Sequence, residues 1–191
     1  LSLEKLKKPT DALSLTQSQN ALARASTTKQ NALDNLDKAY YDGFNSISNT
    51  FNDLPGVVSG LHDLLYTPNN LLGGSNVNNI DYYSSSASVF DPRGKTYGED
   101  TNAKYQIMLA KYNKNFADYK TLDRSASPAQ IEAMIAETYD TSLAAADAVK
   151  SANNLIQFFE DQMTQHTQKI PSLANTQLAS LNSYSASTNS D

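Results

Sequence analysis

Apolar residues in the first third of the chain recur at steps of three and four positions. They are Leu33, Leu36, Tyr40, Phe44, Ile47, Phe51, Leu54, Val58, Leu61 and Leu65. This spacing places them on one face of a long α-helix and predicts that the face packs against other helices. Before Leu33 the same face thins to Leu15, Leu22 and Ala25, which are small or widely spaced contacts.

Two prolines interrupt this pattern. Proline lacks the N–H that a helix interior needs, and its ring clashes with the preceding turn. We therefore expect Pro9 to end a first helical stretch. We expect Pro55 to kink or divide the long helix, with Asn52 or Asp53 capping the second part.

Residues 67–97 form a loop-rich connection in this interpretation. The stretch 67–80 consists of turn-forming residues, TPNNLLGGSNVNNI. The following DYYSSSASVF is predicted to form one or two helical turns, and Asp91–Gly94 (DPRG) a tight turn.

Helical spacing resumes in two further stretches. The first contains Tyr105, Met108, Tyr112, Phe116, Tyr119 and Leu122. The second contains Ile131, Ile135, Thr138, Ser142, Ala145, Val149, Ala152, Ile156, Phe159, Met163 and His166. Ser127 and Pro128 form an N-cap and first-position pair for the latter, and Pro171 separates it from a last helix. The small residues in its middle predict close approach of a neighbouring helix.

The sequence thus predicts an all-α fold with four main helices at about 11–66, 98–123, 128–168 and 172–190. Short connections make neighbouring helices antiparallel, as in an elongated bundle or a coiled-coil hairpin. An even number of passes returns the chain to its starting end. We therefore expect residues 1–191 to be a single helical domain, excised from a longer chain, with both ends at a common base.

Composition narrows the function classes. A net charge of −5 disfavours nucleic-acid binding, and the absence of cysteine excludes disulfides and Cys-based metal sites. No apolar run approaches the roughly 20 residues needed to cross a bilayer, so any membrane anchor is expected outside this segment.

Candidate chemistry is sparse. His62 and His166 belong to no metal-ligand spacing; we expect an ion pair with Asp63 for the first and a partly buried or capping role for the second. Adjacent Glu160 and Asp161 point in different directions around a helix. Gly73–Gly74 lacks the lysine of a phosphate loop, and residues 91–100 miss the calcium-loop spacing. The sequence predicts no catalytic, cofactor or metal site, and no small-molecule substrate.

Tyrosine is abundant, with eleven residues against no tryptophan. Several aromatic residues flank the loop-rich connection, and two interpretations stay open: they close the end of the bundle, or they form a contact surface for a protein partner. The candidate contact residues are Tyr82, Tyr83, Phe90, Arg93 and Tyr97.

The opening phrase LSLEKLKKPT, followed by the Ala- and Gln-rich ALSLTQSQNALARA, resembles the ascending helical arm of periplasmic adaptor subunits. These are also called membrane fusion proteins, of the HlyD and RND-adaptor type. KAYYDGFNSISNTFNDLPGVVSGLHDLLY and ETYDTSLAAADAVKSANNLIQFFEDQ are similar to an enlarged helical hairpin in adaptor-like proteins.

The resemblance implies a non-catalytic, extracytoplasmic scaffold for efflux or secretion. Such adaptors form homo-oligomeric rings, bridge an inner-membrane transporter to an outer component and bind no cofactor. The chain departs from the family in having more than two helices and in lacking the Arg- and Leu-containing tip motif that engages an outer-membrane channel.

Two other classes fit the same pattern. A four-helix ligand-sensing domain of a chemoreceptor or sensor kinase is also extracytoplasmic, poor in cysteine and has both ends on one side. A secreted coiled-coil structural or adhesive protein is the third. Half-lipoyl β-strands on both sides of the segment favour an adaptor, and flanking membrane spans favour a sensor.

Overall fold

The computed structural model describes residues 4–72, 74–123 and 125–190, with side chains from residue 12 to residue 188 in those ranges. The described residues form five α-helices and no strand, which confirms the all-α prediction. The helices are α1 (Glu4–Tyr66), α2 (Asn79–Ser88), α3 (Arg93–Tyr119), α4 (Pro128–Gln165) and α5 (Ser172–Ser190). Contacts divide the chain into two units, residues 1–43 and 44–191.

The described part of the unit of residues 1–43 belongs to α1, and its described side chains lie almost entirely in solvent. From residue 12 onward its leucines are 44–72% exposed, namely Leu13, Leu15, Leu22, Leu33 and Leu36. The prediction that Leu33 and Leu36 pack against other helices is therefore wrong. Spacing identifies an apolar face, but it does not say whether another helix lies against that face.

The unit of residues 44–191 is a bundle with an extensive core. α3 packs on α4, α2 lies against both, and α5 packs on α4. Lys104 pairs with Asp147 and Lys111 with Asp140 across the α3–α4 boundary, so rising numbers on one helix meet falling numbers on the other. The two helices are antiparallel, as predicted.

The part of α1 within this unit supplies the remaining wall of the core. Phe51 stacks on Tyr119 at 4.4 Å between ring centroids, and Tyr66 donates a hydrogen bond to Asn102 Oδ1 at 2.7 Å. α1 and α3 are therefore antiparallel here. Ile47, Leu54, Leu61, Leu65, Met108, Leu155, Ile156, Phe159 and Leu181 are among the most deeply buried side chains.

Neither proline ends a helix. Pro9 and Pro55 both lie within α1, which contradicts the predicted end at Pro9 and the division at Pro55 with a cap at Asn52 or Asp53. Each proline removes one main-chain hydrogen bond at a cost of about 3 kcal/mol. Around Pro55 the apolar contacts of Leu54 and its neighbours offset this cost, because they require the helix to continue.

The predicted connection of 67–97 contains more helix than expected. α2 spans Asn79–Ser88, and α3 begins at Arg93 rather than near residue 98. The Asp91 carboxylate accepts a hydrogen bond from the Arg93 main-chain N–H at 2.9 Å, so the predicted turn is the entry to α3. At the other boundaries α3 ends at Tyr119 and α4 at Gln165, each a few residues before the predicted ends.

α4 begins as predicted, with Ser127 before Pro128 and the Gln130 side chain accepting from the Ser127 N–H at 2.9 Å. Its buried face contains Met134 rather than the predicted Ile135, which is 40% exposed. Small buried residues occupy the middle, Ala144, Ala145, Ala148, Ser151 and Ala152. They let α3 approach closely enough for Thr101 Oγ1 to donate to the Ser151 carbonyl at 3.1 Å.

Within the part of the chain that the structure describes, no helix is apolar over the length that crossing a membrane requires. The expectation that both ends meet at a common base concerns residues 1–3 and 191, which lie outside the described residues.

Candidate functional site

The predicted contact residues flank the α2–α3 connection and pack inward. Tyr83 is fully buried, and its ring meets Phe159 edge-on at 4.9 Å. It has no surface to offer a partner, so its assignment as a contact residue is wrong. Burial raises the pKa of its phenol well above the usual range.

The other four residues of this set also contact the bundle. The ring centroids of Tyr82 and Phe159 lie 5.8 Å apart, and the Phe90 ring stacks on the His166 ring with centroids 4.1 Å apart. Tyr97 stacks on Phe158 at 4.5 Å, with the Arg93 guanidinium over the same ring at 5.4 Å. These contacts favour the interpretation that the aromatic residues close the bundle, although Arg93 keeps most of its side chain in solvent.

A buried polar network ties three helices together nearby. The Leu64 carbonyl oxygen accepts from Asn79 Nδ2 at 2.9 Å and from Gln177 Nε2 at 3.3 Å. The Tyr83 hydroxyl donates to Gln177 Oε1 at 2.5 Å. Asn79 Oδ1 is buried without a hydrogen-bond partner.

The Leu64 carbonyl lies in the last turn of α1, where carbonyls lack helical donors, and Pro68 follows two residues after the helix ends. In a continuing helix the N–H of residue 68 would bond to the Leu64 carbonyl, and proline has no N–H to give. The spacing of Leu64 and Pro68 was a usable sequence signal for an unpaired carbonyl. Asn79 and Gln177, which satisfy it, were missed because nothing local links them to Leu64.

The histidines take different roles. His166 is the residue that caps α4, with Nδ1 2.9 Å from the Gln162 carbonyl oxygen, which confirms the capping role. His62 Nδ1 lies 2.9 Å from the hydroxyl of Tyr105 in α3, and the His62 ring stacks on the ring of Tyr66 in α1. His62 therefore contacts these two tyrosines rather than forming the expected ion pair with Asp63.

Acidic side chains form no ligand cluster among the described residues: no three of His, Cys, Asp and Glu there come close enough to hold one metal ion. Glu160 is partly buried with Oε1 unpartnered, and burial together with Asp161 raises the pKa of its carboxyl. Of the pair Gly73–Gly74, Gly73 lies outside the described residues.

A polar groove of about 440 Å³ lies between the end of α1, α2 and α3. The residues that line it include Asp81, Glu99, Lys95, Tyr66 and Asn102. Lys95 Nζ lies 3.7 Å from Glu99 Oε1, so the charge of the Glu99 carboxylate is partly neutralised. Asp81 is the second acidic residue of the groove. Such a groove suits a small polar molecule carrying a positive charge.

The exposed helix of residues 12–43 carries a second candidate surface. Leu22 follows Leu15 by seven residues, and Leu33 and Leu36 continue the same helical face. We call Leu15, Leu22, Leu33 and Leu36 the leucine stripe. All four are exposed, by 44–72%. An apolar stripe of helical spacing is complementary to another helix.

No protein-family model matches the sequence, and neither a curated protein nor a solved structure is significantly similar to it.

Proposed function

We propose that this protein is a non-catalytic helical scaffold whose contact surface is the leucine stripe. The observation that carries the proposal is the exposure of four leucines on one face of a helix, in the same chain whose bundle buries Leu54, Leu61, Leu64, Leu65, Leu155 and Leu181. Exposed apolar side chains at regular spacing are costly in water and typical of surfaces that bind another protein. The aromatic residues near α2 are largely occupied by internal contacts, which leaves the stripe as the better contact surface.

Within this proposal we retain the specific role of an extracytoplasmic adaptor in efflux or secretion. It is supported by the sequence resemblance of residues 1–25 and of the two central phrases to adaptor arms. In that role the protein bridges an inner-membrane transporter and an outer component, and its partners are proteins.

The test uses the gene in the host that encodes it. Leu22→Glu with Leu36→Glu places charges on the stripe, and Leu13→Glu is the control, since the exposure of Leu13 lies between those of Leu22 and Leu36 but Leu13 lies off the stripe. We expect the double variant to lose envelope association and export while its circular dichroism spectrum stays helical. Normal export by the double variant contradicts the scaffold proposal.

The polar groove supports a second candidate, an extracytoplasmic ligand-sensing domain. Asp81, Glu99 and Tyr66 line a space large enough for an amine or amino acid. A ligand of this class would raise the melting temperature of the purified protein, and Asp81→Asn would abolish the rise while Asp161→Asn would not. Unchanged melting with amines and amino acids excludes this candidate.

A further inference from the structure

We propose that residues 12–43, which we call the exposed segment, act as an order–disorder switch. The segment unfolds and refolds as a helix while the bundle of residues 44–191 stays folded. This opening follows from the properties of the segment alone, and only its consequence for function rests on the proposed contact role of the leucine stripe. Three observations carry the inference: the exposure of the segment, the local character of its hydrogen bonds, and its composition.

The exposed segment gains little stability from burial. Every side chain from Ala12 to Ala39 is exposed to solvent. Further along the same helix, Phe51 is 7% and Leu54 is 2% exposed. Most of the stability of a helix in a protein comes from the packing of an apolar face. The helix of the exposed segment therefore depends on local interactions, whereas the later part of α1 is held by the core.

The side-chain hydrogen bonds of residues 12–39 are local. Gln30 Nε2 donates to Asp34 Oδ1 at 2.8 Å, and Lys38 pairs with Asp42. Pairs four residues apart on an exposed helix stabilise it only slightly. Three hydroxyls donate to the carbonyl oxygen four residues earlier at 2.9–3.0 Å, namely those of Thr16, Ser18 and Thr27. Because such bonds to the main chain slightly destabilise a helix, they do not hold the segment closed.

The composition of the exposed segment also favours opening. It contains three each of Ser, Thr, Asn and Asp, which are weaker helix formers than Ala, Leu and Gln. Its last residue is Gly43, and glycine weakens a helix more than any residue except proline. On the other side of the segment, Pro9 removes one main-chain hydrogen bond of α1. The segment is thus a weak helix between two weak positions.

Opening should begin on the Pro9 side and advance toward Phe44. Starting a new helix is costly, whereas extending an existing one is not. The core holds α1 in helical form beyond Phe44, as the 2% exposure of Ile47 shows. The bundle therefore supplies a helix that the segment can extend from one side. Helix content is expected to decline with distance from Phe44.

Opening removes the proposed contact surface. Leu15, Leu22, Leu33 and Leu36 share one face only while residues 15–36 are helical, because an open chain has no common face. A partner that binds the leucine stripe must bind the closed form. Its apparent affinity is then reduced by the fraction of chains that are closed, so the segment sets the strength of the contact.

Amide hydrogen exchange of the full chain measures the opening directly. We expect protection factors below roughly 10 for residues 16–30 and above roughly 1,000 for residues 51–65, with a gradual rise between the two ranges. Protection of residues 16–30 as strong as that of residues 51–65 overturns the proposal.

A matched pair of substitutions tests whether the segment opens separately from the bundle. Ala25 in α1 and Ala103 in α3 are both exposed within helices, and glycine weakens a helix at either site. Ala103→Gly should lower the urea midpoint by roughly 0.3–1 M, because α3 unfolds with the core. Ala25→Gly should leave this midpoint unchanged when near-UV circular dichroism reports the packing of the core tyrosines. Equal falls in the midpoint overturn the proposal.

Two substitutions in the opposite direction should close the segment. Asn20 lies two residues before Leu22, and Asn31 two residues before Leu33, so both lie on the side of the helix away from the stripe. Asn20→Ala with Asn31→Ala should raise the protection of residues 16–30 several-fold, up to about tenfold, and leave that of residues 51–65 unchanged. Unchanged protection of residues 16–30 in this variant contradicts the proposal.

These outcomes are distinguishable from those of the scaffold test. Exchange that is as slow in the exposed segment as in the bundle overturns the opening and leaves the leucine stripe as a contact surface. Rapid exchange in the exposed segment, together with normal export by Leu22→Glu with Leu36→Glu, confirms the opening and contradicts the scaffold proposal.

Discussion

The side-chain amide of Asn79 donates a hydrogen bond to the main-chain carbonyl of Leu64 across 2.9 Å. Pro68 cannot supply the helical N–H for this carbonyl, so α2 provides the donor that α1 lacks. Gln177 adds a second donor from α5. The end of α1 is thus a point at which three helices meet.

The first prediction concerns this junction. Asn79→Leu removes a buried donor and should lower the free energy of unfolding by about 1–3 kcal/mol, because the Leu64 carbonyl loses its shorter hydrogen bond. Urea unfolding followed by circular dichroism measures the change. Asn70→Ala, at an exposed neighbouring position, is the control.

Pro68→Ala extends this test, because alanine restores an N–H that can bond to Leu64. The cost of Asn79→Leu should be smaller with Pro68→Ala than without it, as a double-mutant cycle shows. Strictly additive costs would mean that Pro68 is not the reason for the Asn79 contact.

The second prediction concerns close approach of α2 and α3. A Cβ added at Gly98 would lie 2.5 Å from Ser84 Oγ, so Gly98→Ala forces the helices apart and should cost about 1–3 kcal/mol. A Cβ added at Gly56 meets nothing within 4 Å. Gly56→Ala should therefore stabilise the protein by up to about 1 kcal/mol, because alanine favours the helix interior. Equal effects of the two substitutions on the urea midpoint would contradict the close contact.

The third prediction concerns Tyr83. Because its side chain is fully buried against Phe159, Tyr83→Ala should cost about 3–5 kcal/mol through the cavity it leaves. Tyr83→Phe keeps the ring and removes only the hydrogen bond to Gln177, so its cost should be much smaller. Val89→Ala, at a residue 76% exposed, should change thermal stability little. A Tyr83→Ala variant as stable as the Val89→Ala variant would show that the Tyr83 side chain is not buried in the core.

The fourth prediction concerns pH. Burial raises the pKa of Tyr83 above its ordinary value of 10.0, and desolvation also raises the pKa values of Tyr66 and Tyr105. The unfolded chain releases these protons first as pH rises. The stabilisation is therefore fully present below pH 10 and decreases as the pH rises above it. Urea midpoints should fall from pH 9 to pH 11.5 and fall less steeply in Tyr83→Phe. A midpoint independent of pH in this range would show that these phenols are not buried in the fold.

Much of the helical architecture could be predicted from local signals. Ser127 and Pro128 located the start of α4, and Pro171 located the start of α5 to the residue, because caps and prolines act within one turn. The candidate site was harder to predict from the sequence. Tyr83 and Tyr82 are adjacent in sequence and similar in chemistry, yet Tyr83 is fully buried and Tyr82 only partly, and neighbouring helices decide this.

The sequence by itself determined the helical class, the antiparallel order of α3 and α4, and most helix ends, since side-chain spacing, caps and turn residues specify these within a few residues. Only the tertiary structure decided that α1 continues through Pro55, that Leu33 and Leu36 stay exposed, and that Asn79 and Gln177 meet at Leu64. In each case the deciding energy comes from residues distant in sequence. Core contacts around Leu54 outweigh one lost hydrogen bond, and the presence or absence of a neighbouring helix sets whether an apolar face is buried.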